Sequence, residues 1–284
     1  MAKLLEGKPI AQKLNEELRL QIQQLNKKLC LASIQVGENQ ASEVYIKSQR
    51  KAAENLGIEY QLHKLSQDTS EDELIKFIQK LSQDNSVNGM IVQMPLPPAI
   101  DYKKISQFIL PQKDVEGMHP ANIGKIPFGR ASILPCTAAA VMELLKATGV
   151  DLYGKDAVVI GHSEIVGKPV ALLLLDKFAT VSVCHIGTSK AGKLQEYVSR
   201  AEVLVVAVGK AGLIKGEWIK EGAIVVDVGI NRAGDKIVGD VEFEGAQKRA
   251  SWITPVPGGV GPLTVTMLLR NLVEAEKLQE KIRR

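Results

Sequence analysis

The chain has 284 residues, 45% hydrophobic and 24% charged, with a formal net charge of +4. These values fit one large or two ordinary folded domains and exclude a disordered chain. The basic residues are scattered, with Lys27–Lys28, Lys103–Lys104 and the terminal Lys281, Arg283 and Arg284 far apart, so a nucleic-acid partner is not expected.

Three cysteines, Cys30, Cys136 and Cys184, with no CxxC spacing, leave no disulfide framework and no expected metal site. The longest apolar run, Val170–Leu175, is far too short to span a bilayer. Residues 1–18 read as a charged amphipathic helix and not as a secretory leader, so a cytoplasmic location without membrane attachment is expected.

In chain order, Ile10, Leu14, Leu18, Ile22, Leu25 and Leu29 mark one helix face, with Pro9 at its start. Leu31–Val36 predicts a strand closed by Gly37, and Ser42–Leu56 a helix stopped by Gly57. A strand Ile58–Leu62 follows. Ser70 and Glu73 form a capping box that opens a helix over Leu74–Leu81. Val87–Val92 predicts a strand, and the proline-rich run from Gln93 to Pro98 can only be loop. From Tyr102 to Pro135 prolines and glycines predict mostly loop, and a loop of that length in a compact protein is usually functional. Thr137 is expected to cap a helix, Ala138–Thr148, ended by Gly149.

Beyond that point come a strand Ala157–Ile160, a turn Gly161–Gly167, and a helix Ile165–Leu175 with Pro169 in its first turn. Apolar strands Thr180–Cys184, Val203–Val208 and Ile224–Val228 follow, and an amphipathic helix Pro262–Lys281 closes the chain. Alternating strands and helices predict parallel sheets covered on both faces.

A strand, a glycine turn and a helix together form a phosphate site, because free N–H groups and the helix dipole favour an anion. Gly161, His162 and Ser163 occupy such a turn, although it is not a literal GxGxxG and an ordinary strand-to-helix turn reads similarly. Gly209 and the Asp227–Asn231 run lie just past strand carboxyl ends, where ligands bind in open α/β sheets. Past the strand Thr180–Cys184 there is neither an acid for a ribose hydroxyl nor an arginine for a 2′-phosphate. His162 and Lys190 are the nearby candidates, so the residues alone leave NAD and NADP open. In the first half, Tyr45, Gln93 and Asp114 taken singly read equally as a core aromatic, a strand-end cap and a turn former. The Pro255–Pro262 run would let backbone approach a flat ligand closely.

Together these segments resemble one family along essentially the whole chain, the bacterial bifunctional methylenetetrahydrofolate dehydrogenase/methenyltetrahydrofolate cyclohydrolases. The matching stretches are Val36–Gly37 with Ala41–Ser42 and Tyr45, Gly89–Pro97, Lys113–Val115, Pro135–Thr137, Val159–Pro169, Asp227–Asn231, Gly239–Val241 and Thr254–Pro262. The resemblance implies an α/β fold with an N-terminal α/β domain and a Rossmann-type parallel-sheet dinucleotide-binding domain, with a cleft between them. The first would span residues 1–140 and be completed by the C-terminal helix 263–284; the second would span 141–262. The resemblance further implies tetrahydrofolate derivatives as substrates, NADP as cofactor with NAD still open, and a homodimer formed through the nucleotide domain. It carries the catalytic role to Tyr45, Gln49, Gln93 and Glu116. Folate contacts fall to Tyr45, Gln93, Asp114, Glu116, Pro257, Gly258 and Gly259. Cofactor contacts fall to Gly161, His162, Ser163, Ile186, Gly209 and Ile230.

The sequence departs from the family pattern at polar positions. The family lysine one helical turn after the tyrosine is Gln49, while Lys47 and Arg50 lie off that face. The usual aspartate is Glu116, whose extra methylene moves the carboxylate by about 1.5 Å. His162, Ile186 and Ala138 replace the usual arginine, serine and proline. Hydride transfer needs mainly two rings held in contact, whereas hydrolysis of the methenyl cation needs a titratable group. The expectation is therefore dehydrogenase activity with little cyclohydrolase activity. The alternatives are a fully bifunctional enzyme and a non-catalytic paralogue that binds folate or dinucleotide as a partner subunit.

Overall fold

The structure, a computed structural model, describes residues 1–234 and 236–283, with side chains for all but residues 40 and 41. Arg284, counted above among the terminal basic residues, and the Ala41 side chain of the Ala41–Ser42 match lie outside that description.

The elements in order begin with β1 (Lys3–Leu4), α1 (Gly7–Gln24), β2 (Cys30–Val36), α2 (Gln40–Asn55), β3 (Glu59–Leu65), α3 (Glu71–Gln83) and β4 (Gly89–Val92). The long connection holds α4 (Tyr102–Ile105) and α5 (Pro120–Ile123), and leads to α6 (Cys136–Ala147). Then come β5 (Asp156–Ile160), α7 (Gly167–Asp176), β6 (Thr180–Cys184), α8 (Ile186–Lys190), α9 (Leu194–Arg200), β7 (Val203–Val206) and β8 (Ile224–Asp227). The chain ends with β9 (Asn231–Ala233), β10 (Lys236–Val238), α10 (Phe243–Arg249), β11 (Trp252–Ile253) and α11 (Gly261–Arg283).

Two compact units result: Met1–Lys13 with Thr137–Thr264, and Leu14–Cys136 with Val265–Arg284. The first carries a six-stranded sheet in the order β1-β11-β8-β7-β5-β6, every pair parallel. All four residues of β7 and of β8 are buried, as expected of strands covered on both faces. One face packs Val158, Ile160, Leu204, Val206 and Val225 against Leu194 and Val198 of α9 and Ala246 of α10. The second unit carries a three-stranded parallel sheet, β3-β2-β4. Its core sets Ala32, Ile34, Met90 and Val92 against Leu74, Ile78 and Leu81 of α3. The capping box that opens α3 is present, with the Glu73 N–H donating to Ser70 Oγ at 3.3 Å and the Ser70 N–H to Glu73 Oε2 at 2.9 Å.

Within the second unit α11 is fastened by buried polar side chains. Asn271 Nδ2 donates to the Val115 and Leu134 carbonyls, each at 2.8 Å. Gln279 Nε2 donates to the Asn88 carbonyl at 2.7 Å. Glu276, fully buried, pairs with Lys27 and accepts from Asn88 Nδ2.

Several expectations need correction. Residues 1–13, read with the first domain, join the larger-sheet unit, because β1 pairs in parallel with β11. The first helix stops at Gln24 and not at Leu29, since Asn26 turns to φ 53. Thr137 lies inside the first turn of α6 and does not cap it, and α7 begins at Gly167 and not at Ile165. The segment expected as mostly loop also carries the four-residue helices α4 and α5. The short elements α8, α9, β9, β10, α10 and β11 had no sequence expectation.

Candidate functional site

In the larger-sheet unit β5 runs into Gly161, which has φ +114. A Cβ there would lie 2.2 Å from the Ala207 carbonyl oxygen, and one on Gly167 would lie 2.1 Å from the Gly161 carbonyl oxygen. Only glycine permits strand, turn and α7 to close this tightly. Beside the turn is a cavity of about 400 Å³, lined among others by Gly161, His162, Ser163, His185, Ile186, Ser189 and Lys210. The His162 and His185 rings stand 5.2 Å apart. Ser163 Oγ accepts from the Val166 N–H at 3.2 Å and so also serves to cap the entry to α7.

Four of the expected cofactor residues, Gly161, His162, Ser163 and Ile186, therefore share one cavity. Gly209 and Ile230 are not among its lining residues. The Gly209 N–H instead donates to Asp240 Oδ2 at 3.0 Å, and the neighbouring Val208 and Lys210 N–H groups also donate to that carboxylate. Ile230 is exposed, three residues past the end of β8. Lys190 is likewise not in the lining, and Lys210, Ser189 and His185 are cavity residues that the sequence reading did not place. Lys210 directly follows Gly209, so the glycine marked the turn but not the side chain that lines the cavity. Asp227, whose oxygens accept from the Gly229, Asp240 and Val241 N–H groups, organises the following turn. Burial pushes its carboxyl up to about 6, against the pull of those hydrogen bonds.

The fit of a dinucleotide rests on these residues. The glycine cradle admits a phosphate to the backbone. The lining residues include Lys210 and two imidazoles but no carboxylate, a donor set suited to a phosphorylated ribose.

The second unit holds the other expected residues. Gln93 follows β4 directly, with its N–H on the Ile34 carbonyl at 2.8 Å. Its Nε2 donates to Ser33 Oγ at 3.0 Å and to Gln49 Oε1 at 2.8 Å. Gln49 Oε1 also accepts from the Tyr60 hydroxyl at 2.8 Å. Gln49 is 0% exposed. Tyr45 lies one turn earlier on α2 and is half-buried, while Lys47 and Arg50 are exposed.

The 113–116 segment is joined to β4 through a bridge between Met90 and Asp114. Asp114 accepts from the Gly117 N–H at 3.0 Å, the His119 N–H at 2.7 Å and Asn122 Nδ2 at 3.0 Å. Expected as a folate contact, it organises its own loop. Glu116 Oε2 accepts from the Tyr102 hydroxyl at 2.7 Å. Burial pushes the Glu116 carboxyl up, the Tyr102 hydrogen bond pulls it back, and the Asp114 charge pushes it up again, so that it titrates at about 7. Tyr102 was missed because it lay in a segment with no periodicity. Pro257, Gly258 and Gly259 belong to the larger-sheet unit, where the Gly258 carbonyl accepts the Gly7 N–H at 2.9 Å. Among the described residues no cluster of metal-ligating side chains occurs, and no helix is long and apolar enough to cross a membrane.

Comparison with known proteins agrees over the full length. Residues 5–116 match the tetrahydrofolate dehydrogenase/cyclohydrolase catalytic domain, and residues 135–280 match the NAD(P)-binding domain of the same name. The bifunctional protein FolD of Acetivibrio thermocellus is 50% identical, covering 99% of each chain. A crystal structure of the bifunctional FolD enzyme from Campylobacter jejuni superposes with a TM-score of 0.94 at 47% identity, covering 98% of this chain and 100% of that one. The Trypanosoma brucei enzyme, complexed with NADP and an inhibitor, gives a TM-score of 0.94 at 37% identity, covering 100% of this chain and 99% of that one.

The Glu116 carboxyl sits above the ordinary carboxylate value of 4.5. The fold therefore favours its protonated form, and that contribution, complete in acid, is lost as the pH rises towards 7. From about pH 5 to about pH 8 the melting temperature should fall a few degrees further in the unsubstituted chain than in Glu116→Gln. Asp227 acts alike in both proteins and cancels in the difference. Parallel melting curves would contradict the assignment.

Proposed function

The chain belongs to the tetrahydrofolate dehydrogenase/cyclohydrolase family, and from that premise we propose that it oxidises 5,10-methylenetetrahydrofolate with NADP and hydrolyses the methenyl product only slowly. The observation that carries this reading is Gln49: fully buried, uncharged, and held as an acceptor by Tyr60 and Gln93, where the family resemblance places a lysine.

In the oxidation a hydride leaves the carbon bridging N5 and N10, and the nitrogen lone pairs stabilise the cation that remains. When bound, the oxidised nicotinamide supplies the hydride acceptor. The chain's own part is to hold a flat ring in place. Gln93, fixed to the strand end by its backbone and to Ser33 by its side chain, is suited to that, as is the half-buried Tyr45. Pro257, Gly258 and Gly259 keep the contact role that the resemblance gives them. NADP is favoured by Lys210, His162 and His185 in a cavity lining without a carboxylate.

Hydrolysis makes a different demand. Water adds to the cation, a proton must pass from that water to one of the two nitrogens, and the bond between the carbon and that nitrogen breaks. An amide cannot carry it. Glu116, titrating at about 7, can, and residual hydrolysis is assigned to it.

Assembly as a homodimer through the larger-sheet unit is supported by its edge strand. Beside β6, Phe178 is 71% exposed and Tyr153 70% exposed, their rings 5.6 Å apart, with Leu175 and Val183 also exposed. Light scattering should give twice the chain mass, and Phe178→Glu should lower it to that of a single chain. A monomeric unsubstituted protein would overturn this.

Gln49→Lys should raise the rate of methenyltetrahydrofolate hydrolysis about a hundredfold while changing the dehydrogenase rate far less. No gain over an already rapid hydrolysis in the unsubstituted enzyme would contradict the role given to position 49.

A further inference from the structure

The cavity beside the Gly161 turn holds two imidazoles that differ in what they can do with a proton. It lies where the turn after β5 meets the turn after β6, and the end of the second strand of a dinucleotide unit is where the adenosine ribose is read. His162 and His185 both line it, both are exposed, and their rings stand 5.2 Å apart. Ile186, next to His185, is 68% exposed and has no polar side-chain atom to offer. Lys210 adds an ammonium to the same lining.

His185 is committed to its own helix. Its Nδ1 accepts the Gly187 N–H at 3.1 Å and its N–H donates to Thr188 Oγ1 at 3.3 Å, a capping box that opens α8. A proton on Nδ1 would set a donor against a donor, so the cap needs the ring with its hydrogen on Nε2. His162 carries no such duty, since among the described residues its ring meets only that of His185. The charged groups on the surrounding elements are engaged elsewhere or are cations. Glu164, in the same turn, pairs with Lys168 of α7 at 3.6 Å. The fully buried Asp240 is taken up by the N–H groups of Val208, Gly209 and Lys210. Burial pushes the Cys184 thiol up, and Lys190 of α8 and Lys210 bring positive charge. A proton on His162 therefore lacks an opposite charge until an anion enters the cavity, and the anion then favours it.

We propose that His162 takes up a proton as the 2′-phosphate of NADP binds, while His185 keeps its cap, so that the preference of this chain for NADP over NAD is set by pH. This role rests on the NADP reading given above. The arginine that the family resemblance places at position 162 would keep its charge throughout, whereas an imidazole changes charge between about pH 5 and pH 8. The phosphate works in the opposite sense, because it loses its second negative charge below about pH 6. Tighter binding of NADP relative to NAD in mild acid thus has its source in the protein.

Calorimetric titration with NADP and with NAD, in the absence of folate, reads this without turnover. The ratio of the two affinities should rise about five- to tenfold from pH 8 to pH 6.5 in the unsubstituted protein. In His162→Gln the ratio should be lower at pH 6.5 and should not rise in acid. In His162→Arg it should be high at both pH values, again without the rise. Position 162 is exposed, so both variants should melt close to the unsubstituted protein. A ratio that stays level in the unsubstituted protein, or that rises as steeply in His162→Gln, overturns the proposal and leaves NADP as the preferred cofactor. Failure of NADP to bind more tightly than NAD at either pH overturns the cofactor reading and the proposal with it.

Discussion

A buried amide can accept and donate hydrogen bonds, but it cannot carry a proton, and the proposed division between the two reactions depends on that constraint. Gln49 sits at zero exposure with its oxygen shared between Tyr60 and Gln93. Both donors point at one atom, so the side chain is fixed as an acceptor on one side with its nitrogen unpartnered on the other. A lysine at this place would bring a charge into a buried polar cluster, a costly arrangement that an enzyme uses to shift a titration towards neutrality. The glutamine at this position brings no such charge and no such cost.

The surrounding structure holds this cluster in place. The parallel ladder β3-β2-β4 fixes Gln93 to Ile34, so the side chain leaves the sheet at its carboxyl end and meets Ser33 and Gln49. The 113–117 loop is anchored twice, by Asp114 gathering the N–H groups of its own turn and by Asn271 of α11 holding the Val115 carbonyl. Glu116 is thereby held where the Tyr102 hydroxyl reaches it, and burial keeps its carboxyl near neutrality. In the other unit, Gly161 and Gly167 bring strand, turn and helix within a distance that no side chain would tolerate, and the cavity beside them is lined by basic groups.

Much of this was legible in the sequence. The capping box at Ser70, the glycine stops at Gly57 and Gly149, and the apolar strands of the larger sheet are local signals, and the structure places elements there. The chain motifs also identified the family. What escaped had no local signature. Lys3–Leu4 is a two-residue strand whose partner lies at Trp252–Ile253, so only the tertiary fold reveals it. Lys210 and Tyr102 lie in turns without periodicity. Ser33 and Gln35 alternate with apolar residues, a pattern that a solvent-facing strand would share, yet both are buried. Asp114, matched by motif as a ligand contact, also accepts from groups of its own loop, which a motif does not record.

The most direct test follows both products of a single reaction. Purified protein supplied with methylenetetrahydrofolate and NADP can be monitored at once for reduced cofactor and for methenyltetrahydrofolate. With a glutamine at position 49, the methenyl compound should accumulate nearly in step with NADPH. A steady rise of NADPH over a low, constant level of methenyltetrahydrofolate would contradict the account, for it would show that the chain moves the proton that Gln49 cannot.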